Sequence, residues 1–155
     1  MGVEGSGKST VGSRLAAQLG VEFVDADSEH SPEAVAQMAA GIPLTEAQRE
    51  PWLDRCHEVL AAHATPDEGI VLACSALTIA ARRRLAGALP VRFVALIASE
   101  EVLAARVAAR EGHFAGPELL ASQLATLELD PEVVTVDAGR PVDDVVAEIR
   151  HVLGR

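Results

Sequence analysis

Near the start of the chain, the eight residues Gly2-Val3-Glu4-Gly5-Ser6-Gly7-Lys8-Ser9 fit the pattern G-x-x-x-x-G-K-[ST]. Such a run commits the backbone to a tight turn in which successive N–H groups converge on one spot, with a helix starting directly behind them. The glycines permit the turn and the helix start adds its positive end, so the expected product is a cradle for phosphate. Lys8 would reach the β- and γ-phosphates of ATP, and the Ser9 hydroxyl would ligate Mg²⁺. From average glycine usage, a chance match in a chain of this size has a probability of roughly half a per cent.

Downstream, strand and helix signals alternate. Val11, Leu15 and Leu19 form one stripe of a helix from Thr10 to Leu19, and Gly20 follows where a left-handed cap would sit. The strand Val21–Asp25 comes next, then a helix from Ser31-Pro32-Glu33 closed by Gly41. Thr45 and Gln48 fit a capping box, and Pro51 within the following helical pattern predicts a kink or restart. Gly69–Cys74, with Ile70, Val71 and Leu72 consecutive, reads as a strand buried on both faces, the mark of a parallel sheet. A helix over about 76–86, a strand Val91–Leu96 and a helix from Ser99 to about Arg110 continue the alternation. After Glu111–Gly116, with its two glycines, Pro117 starts a helix to about Glu128. Val133–Val136 is the last strand and Val142–Leu153 the last helix. The pattern predicts a three-layer α/β/α phosphate-loop NTPase fold with a central parallel sheet and a helical lid at about 111–128.

The 155 residues are expected to form a single domain, and 49% apolar with 23% charged residues suits a globular core. This balance argues against disorder, collagen and coiled coil as whole-chain readings, and no apolar run is long enough to span a membrane. A net charge of −10 disfavours broad contact with nucleic acid or anionic lipid, so an anionic ligand must be met by local cations. Two cysteines, Cys56 and Cys74, read as reduced, buried thiols of a cytoplasmic protein.

Asp25-Ala26-Asp27 ends the strand after the first helix, where open parallel sheets place ligand-contacting residues. One carboxylate there can hold a Mg²⁺-bound water and the other can accept a proton from an attacking hydroxyl. Arg106 and Arg110, four apart on a helix leading into the glycine-containing segment, can put one guanidinium over the adenine and the other on the transferring phosphoryl group. His30 and His113 have no partners at metal-ligand spacing.

Several further blocks are collinear with Gly2–Thr10: Asp25-x-Asp27-x-x-His30, Met38-x-x-Gly41-x-Pro43-Leu44, Arg49-x-Pro51-Trp52-Leu53, Cys74-Ser75-Ala76-Leu77, Arg110-x-Gly112-His113-Phe114 and Ser122-Gln123-x-x-Thr126-Leu127-Glu128. Together they resemble the bacterial gluconate kinase family, from the first residue to about Asp137. The resemblance implies ATP-dependent phosphorylation of D-gluconate to 6-phosphogluconate, with a homodimer as the usual form. By position, it implies Asp27 as the base and His30, Arg49, Ser75 and His113 on the sugar-acid side. The nucleotide side would comprise Gly2, Gly5, Ser6, Gly7, Lys8, Ser9, Thr10, Arg106 and Arg110, with Ser9 and Asp25 at the metal. Lys8, Asp27 and Arg110 would carry the chemistry. Ala34, Gln37, Gln48, Ala81 and Glu111 stand where the family usually has Asn, Lys, Asp, Tyr and Lys. The alternatives are a phosphate-loop protein with weak or no kinase activity, or a kinase for another hydroxy acid such as shikimate. In this fold a buried central strand normally runs into the phosphate loop, whereas only Met1 precedes Gly2 here. The first strand is therefore expected to be truncated.

Overall fold

The computed structural model describes residues 1–40, 42–65, 69–109 and 117–154. Seven helices and four strands alternate among them: α1 (Lys8–Leu19), β1 (Glu22–Asp25), α2 (Pro32–Ala39), α3 (Glu46–Ala62), β2 (Ile70–Ala73), α4 (Ile79–Ala86), β3 (Val94–Ile97), α5 (Glu100–Ala108), α6 (Pro117–Thr126), β4 (Val134–Asp137) and α7 (Val142–Val152). A 3-10 turn over Ala26–Glu29 follows β1. All strand pairing is parallel, β1 with β2 and β3 with β4.

The parallel three-layer arrangement expected from the alternation is present, divided into two half-sheets. What stands between them is the backbone of Met1 and Gly2. The Met1 amine donates to Val94 O at 2.6 Å, Leu96 N–H donates to Met1 O at 2.9 Å, and Gly2 N–H donates to Ser75 O at 3.3 Å. Met1 bonds to the β3 side and Gly2 to the residue after β2, so the two half-sheets are bridged by single hydrogen bonds and not by a ladder. Burial pushes the Met1 amine down to about 5.

Alternation along the strands sorts the layers. Val71, Val94, Leu96, Val134 and Val136 pack with Val11 and Leu15 of α1 and Val145, Val146 and Ile149 of α7. Ile70, Leu72 and Phe93 turn the other way, onto Trp52, Leu53, Cys56 and Leu60 of α3 and Leu85 of α4. A third cluster, Val3, Leu103, Val107 and Leu120, seats the phosphate loop on α5 and α6. Cys56 and Cys74 are both buried and free. Among the described residues, no helix is long and apolar enough to cross a membrane.

The caps explain most of the boundaries. Ser31 caps α2, Thr45 and Gln48 complete both halves of a capping box on α3, and Ser99 caps α5. Three expectations need correction. β3 begins at Val94 rather than Val91. Of the kink or restart expected at Pro51, the restart is absent: α3 runs through Pro51 as one helix, with Trp52, Leu53, Cys56 and Leu60 buried. α4 begins at Ile79 rather than about 76, because Thr78 is its cap and the preceding residues form a non-helical turn with Ala76 at φ +42°.

Ile149 is 2% exposed at the centre of the α1–α7 layer. Ile149→Ala is expected to cost about 2–5 kcal/mol in denaturant unfolding with an unchanged m-value. A loss below about 1 kcal/mol would show that α7 is not a tight wall of the core.

Candidate active site

The phosphate loop lies where the strands end, between the two half-sheets. Gly5 at φ +76° and Gly7 at φ +88° occupy the left-handed region, and Gly7 leads directly into α1. A Cβ on Gly5 would stand 2.9 Å from Leu103 O, so α5 supports the loop at a distance only glycine permits. The Ser6 hydroxyl is fully buried and has no hydrogen-bond partner among the described residues.

Lys8 Nζ donates to Val3 O at 3.1 Å across the loop. Burial lowers its pKa, and the carboxylates of Asp27, Glu4 and Asp25 act against that shift. Ser9 Oγ donates to Asp25 Oδ2 at 2.5 Å, while Asp25 Oδ1 accepts the Asp27 N–H at 3.1 Å. One carboxylate thus links the start of α1 to the 3-10 turn that presents the exposed Asp27. The sequence showed the two acids at a strand end but not this turn, which Asp25 caps.

Beyond Asp27, His30 stacks on Trp52 with ring centroids 4.5 Å apart and planes 11° from parallel. Trp52 is a core residue that also shapes this wall: its indole N–H donates to Ala26 O at 2.6 Å. His30 Nδ1 is buried and unpartnered among the described residues. Burial lowers the His30 pKa, Asp27 opposes this, and Arg55 and Arg49 add to it, so the imidazole is favoured in its neutral form. Arg49 pairs with Glu46 at 2.7 Å at the start of α3. Nearby, Gln37 and Gln48 exchange amide hydrogen bonds at 3.2 and 2.8 Å, joining α2 to α3 without charge. Ser75 is half-buried just beyond β2.

On the other side of the loop, a cavity of about 310 Å³ is lined by Gly5, Gly7, Thr10, Arg106, Ala138 and Arg140, among others. Arg106 donates to Ala138 O at 2.8 Å and Gly5 O at 3.5 Å, which fixes its guanidinium between α5, the loop and the end of β4. A larger groove of about 510 Å³ runs along α1 and the start of α7, but Arg14 and Asp143 in its wall pair with each other, and it contains neither Lys8 nor Asp27.

The structure therefore brings Lys8, Ser9, Asp25 and Asp27 together, and sets Arg106 with Thr10 on one side and His30 on the other. Arg110 and His113 lie outside the described residues. Sequence reasoning assigned no role to Arg140, Arg55 or Gln123. Arg140 follows the last strand, a position the strand-end rule could have flagged. Arg55 donates to Glu29 O at 2.7 Å, and Gln123 Oε1 accepts the Glu4 N–H of the loop at 2.7 Å.

A glycine cradle with a buried lysine, two carboxylates at a neighbouring strand end and a cavity flanking the loop define a phosphate-loop kinase of small molecules. Residues 1–129 match the family described as an AAA domain. A gluconokinase from Gluconobacter oxydans is 47% identical, over 97% of this chain and 88% of that protein. Among solved structures, a gluconokinase from Sinorhizobium meliloti is 42% identical with a TM-score of 0.87, covering 100% of this chain and 89% of that one. A sugar kinase from Janibacter sp. is 40% identical with a TM-score of 0.90, covering 99% and 91%. The chain belongs to the gluconokinase family.

Gly5→Ala is expected to lower kcat/KM by about 10²-fold, because the loop must move off Leu103 O and its amides lose their aim. Turnover near the unaltered level in an ADP-release assay would show that this contact does not set the loop.

Proposed function

We propose that this chain, acting as one domain, transfers the γ-phosphoryl group of ATP to D-gluconate, giving 6-phospho-D-gluconate. The observation that carries the reading is the convergence of Lys8, Asp25 and Asp27 at one strand end, in a chain with this family membership.

Lys8 meets the β- and γ-phosphates, whose charge supplies the counter-ion that its burial calls for. The loop amides of Gly5, Ser6, Gly7, Lys8 and Ser9 hold the remaining phosphate oxygens, with Gly2 fixing the entry to the loop and Thr10 at its exit. Arg106 steadies the nucleotide from the α5 side. The Ser9 hydroxyl and Asp25 carboxylate are adjacent hard oxygen donors, a set that suits Mg²⁺ with water and phosphate completing its shell. Mg²⁺ would neutralise charge on the phosphates. Asp27, solvent-accessible and close enough to influence both Lys8 and His30, accepts the proton of the attacking hydroxyl. On the sugar-acid side, neutral His30 and Ser75 offer hydrogen bonds, and Arg49 offers a planar fork for the carboxylate. The reading includes Arg110 on the transferring phosphoryl group and His113 beside the sugar acid, on the resemblance alone.

Two buried, free thiols fit a reducing compartment, and we place the protein in the cytoplasm as a homodimer, which light scattering on the purified chain tests.

The deciding experiment is a coupled ADP-release assay over gluconate, related sugar acids and shikimate, with gluconate expected to give the highest kcat/KM. Preference for another acid, or ADP release independent of any acid, would sink the reading. Asp27→Asn is expected to lower kcat by about 10²–10⁴-fold while the KM for ATP changes little. Turnover within a few-fold of the unaltered chain would move the base role to another group.

A further inference from the structure

The turn between β2 and α4 is held by groups other than the phosphate-loop lysine and the strand-end carboxylates. Ala76, a non-glycine residue at φ +42°, is the strained point of this turn. Every carbonyl from Ser75 to Leu77 is used. Ser75 O accepts from Gly2 N–H at 3.3 Å, Ala76 O from Arg82 Nη1 at 3.1 Å, and Leu77 O from Arg82 Nη1 at 3.3 Å and from Glu128 N–H at 2.9 Å. Glu128 also accepts the Ile79 N–H at 2.6 Å, which closes the start of α4.

Arg82 is 3% exposed, and its second terminal nitrogen donates to Asp130 Oδ2 at 2.7 Å. Asp130 is itself fixed, since Oδ1 accepts the Glu132 N–H at 3.0 Å. A guanidinium is a costly group to bury, and an apolar side chain at this place could fill the core beside Leu85 without that cost. What an apolar residue could not do is donate at once to two turn carbonyls and a carboxylate.

We infer that Arg82 is a positioning residue: with Glu128 and Asp130 it clamps the Ser75–Leu77 turn in its strained form and so sets the sugar-acid side of the cleft. The inference rests on the proposed gluconate kinase reading. The clamp acts through backbone geometry, and it joins the segment that follows α6 to the exit of β2. Loss of the clamp lets Ala76 relax toward negative φ, and Ser75 moves with it. The phosphate loop keeps its other supports, at Val94, Leu96 and Leu103.

The test uses the full chain, well below its Tm, with gluconate and ATP varied separately. Asp130→Asn keeps an oxygen for Glu132 N–H but removes the counter-charge, and Arg82→Lys keeps the charge but loses the fork. Both are expected to raise the KM for gluconate roughly tenfold and to leave the KM for ATP within about twofold. Adding Ala76→Gly to Asp130→Asn should recover most of the lost gluconate affinity, because glycine adopts this φ without steric cost. Should Arg82→Lys fail to fold, Asp130→Asn and the double variant still decide the matter. A lowered Tm with the gluconate KM unchanged would make Arg82 a purely structural ion pair and overturn the clamp, as would a double variant no better than Asp130→Asn. An unaltered chain that does not turn over gluconate sinks the underlying reading and the clamp with it. Turnover with unresponsive variants sinks the clamp alone.

Discussion

Three backbone hydrogen bonds at Met1 and Gly2 tie the β1–β2 half of the molecule to the β3–β4 half. The phosphate loop starts from that junction, so its position is set by both half-sheets at once. Gly5 then presses against Leu103 O of α5, and Gly7 hands the chain to α1, whose apolar side lies on the sheet. Loop, sheet and first helix therefore form one frame, and the carboxylates at the end of β1 reach Lys8 and Ser9 because β1 runs parallel to β2 beside it.

Local chemistry made much of this readable in advance. Ser31, Thr45 with Gln48, and Ser99 are caps because their oxygens meet amides within the next turn, a relation fixed by spacing alone. Lys8, Ser9 and Asp25 were readable for a related reason: the loop pattern and the strand-end rule each specify a place as well as a residue type. Tertiary override hid the rest. Alanine favours helix, so Ala76 read as the first residue of α4, and nothing local shows its positive φ or the Arg82 hydrogen bond to its carbonyl. Of the three consecutive arginines Arg82, Arg83 and Arg84, only the first faces inward, since successive helical residues point about 100° apart. Pro51 does not end α3, whose following residues Trp52, Leu53 and Cys56 are buried.

The wall beyond Asp27 is built around neutral side chains and a few cations. Burial lowers the His30 pKa, and its stacking on Trp52 fixes the ring plane. Asp27 acts on that imidazole with one sign and Arg55 and Arg49 with the other, and Arg49 is itself paired with Glu46. Gln37 and Gln48 bind each other as an uncharged pair, which joins α2 to α3 without adding charge.

Cys74 sits one residue from Ser75, at the edge of the cleft, and Cys56 lies behind it in the same core cluster. Burial pushes the two thiols up to about 11 and about 12, and they are 3% and 0% exposed. Alkylating agents and peroxide attack the thiolate, which is scarce at neutral pH in both residues while the chain is folded. Sulfur chemistry thus reports on the integrity of this protein: modification waits for the core to open, and the rate at which iodoacetamide consumes the two cysteines becomes a clock for that opening.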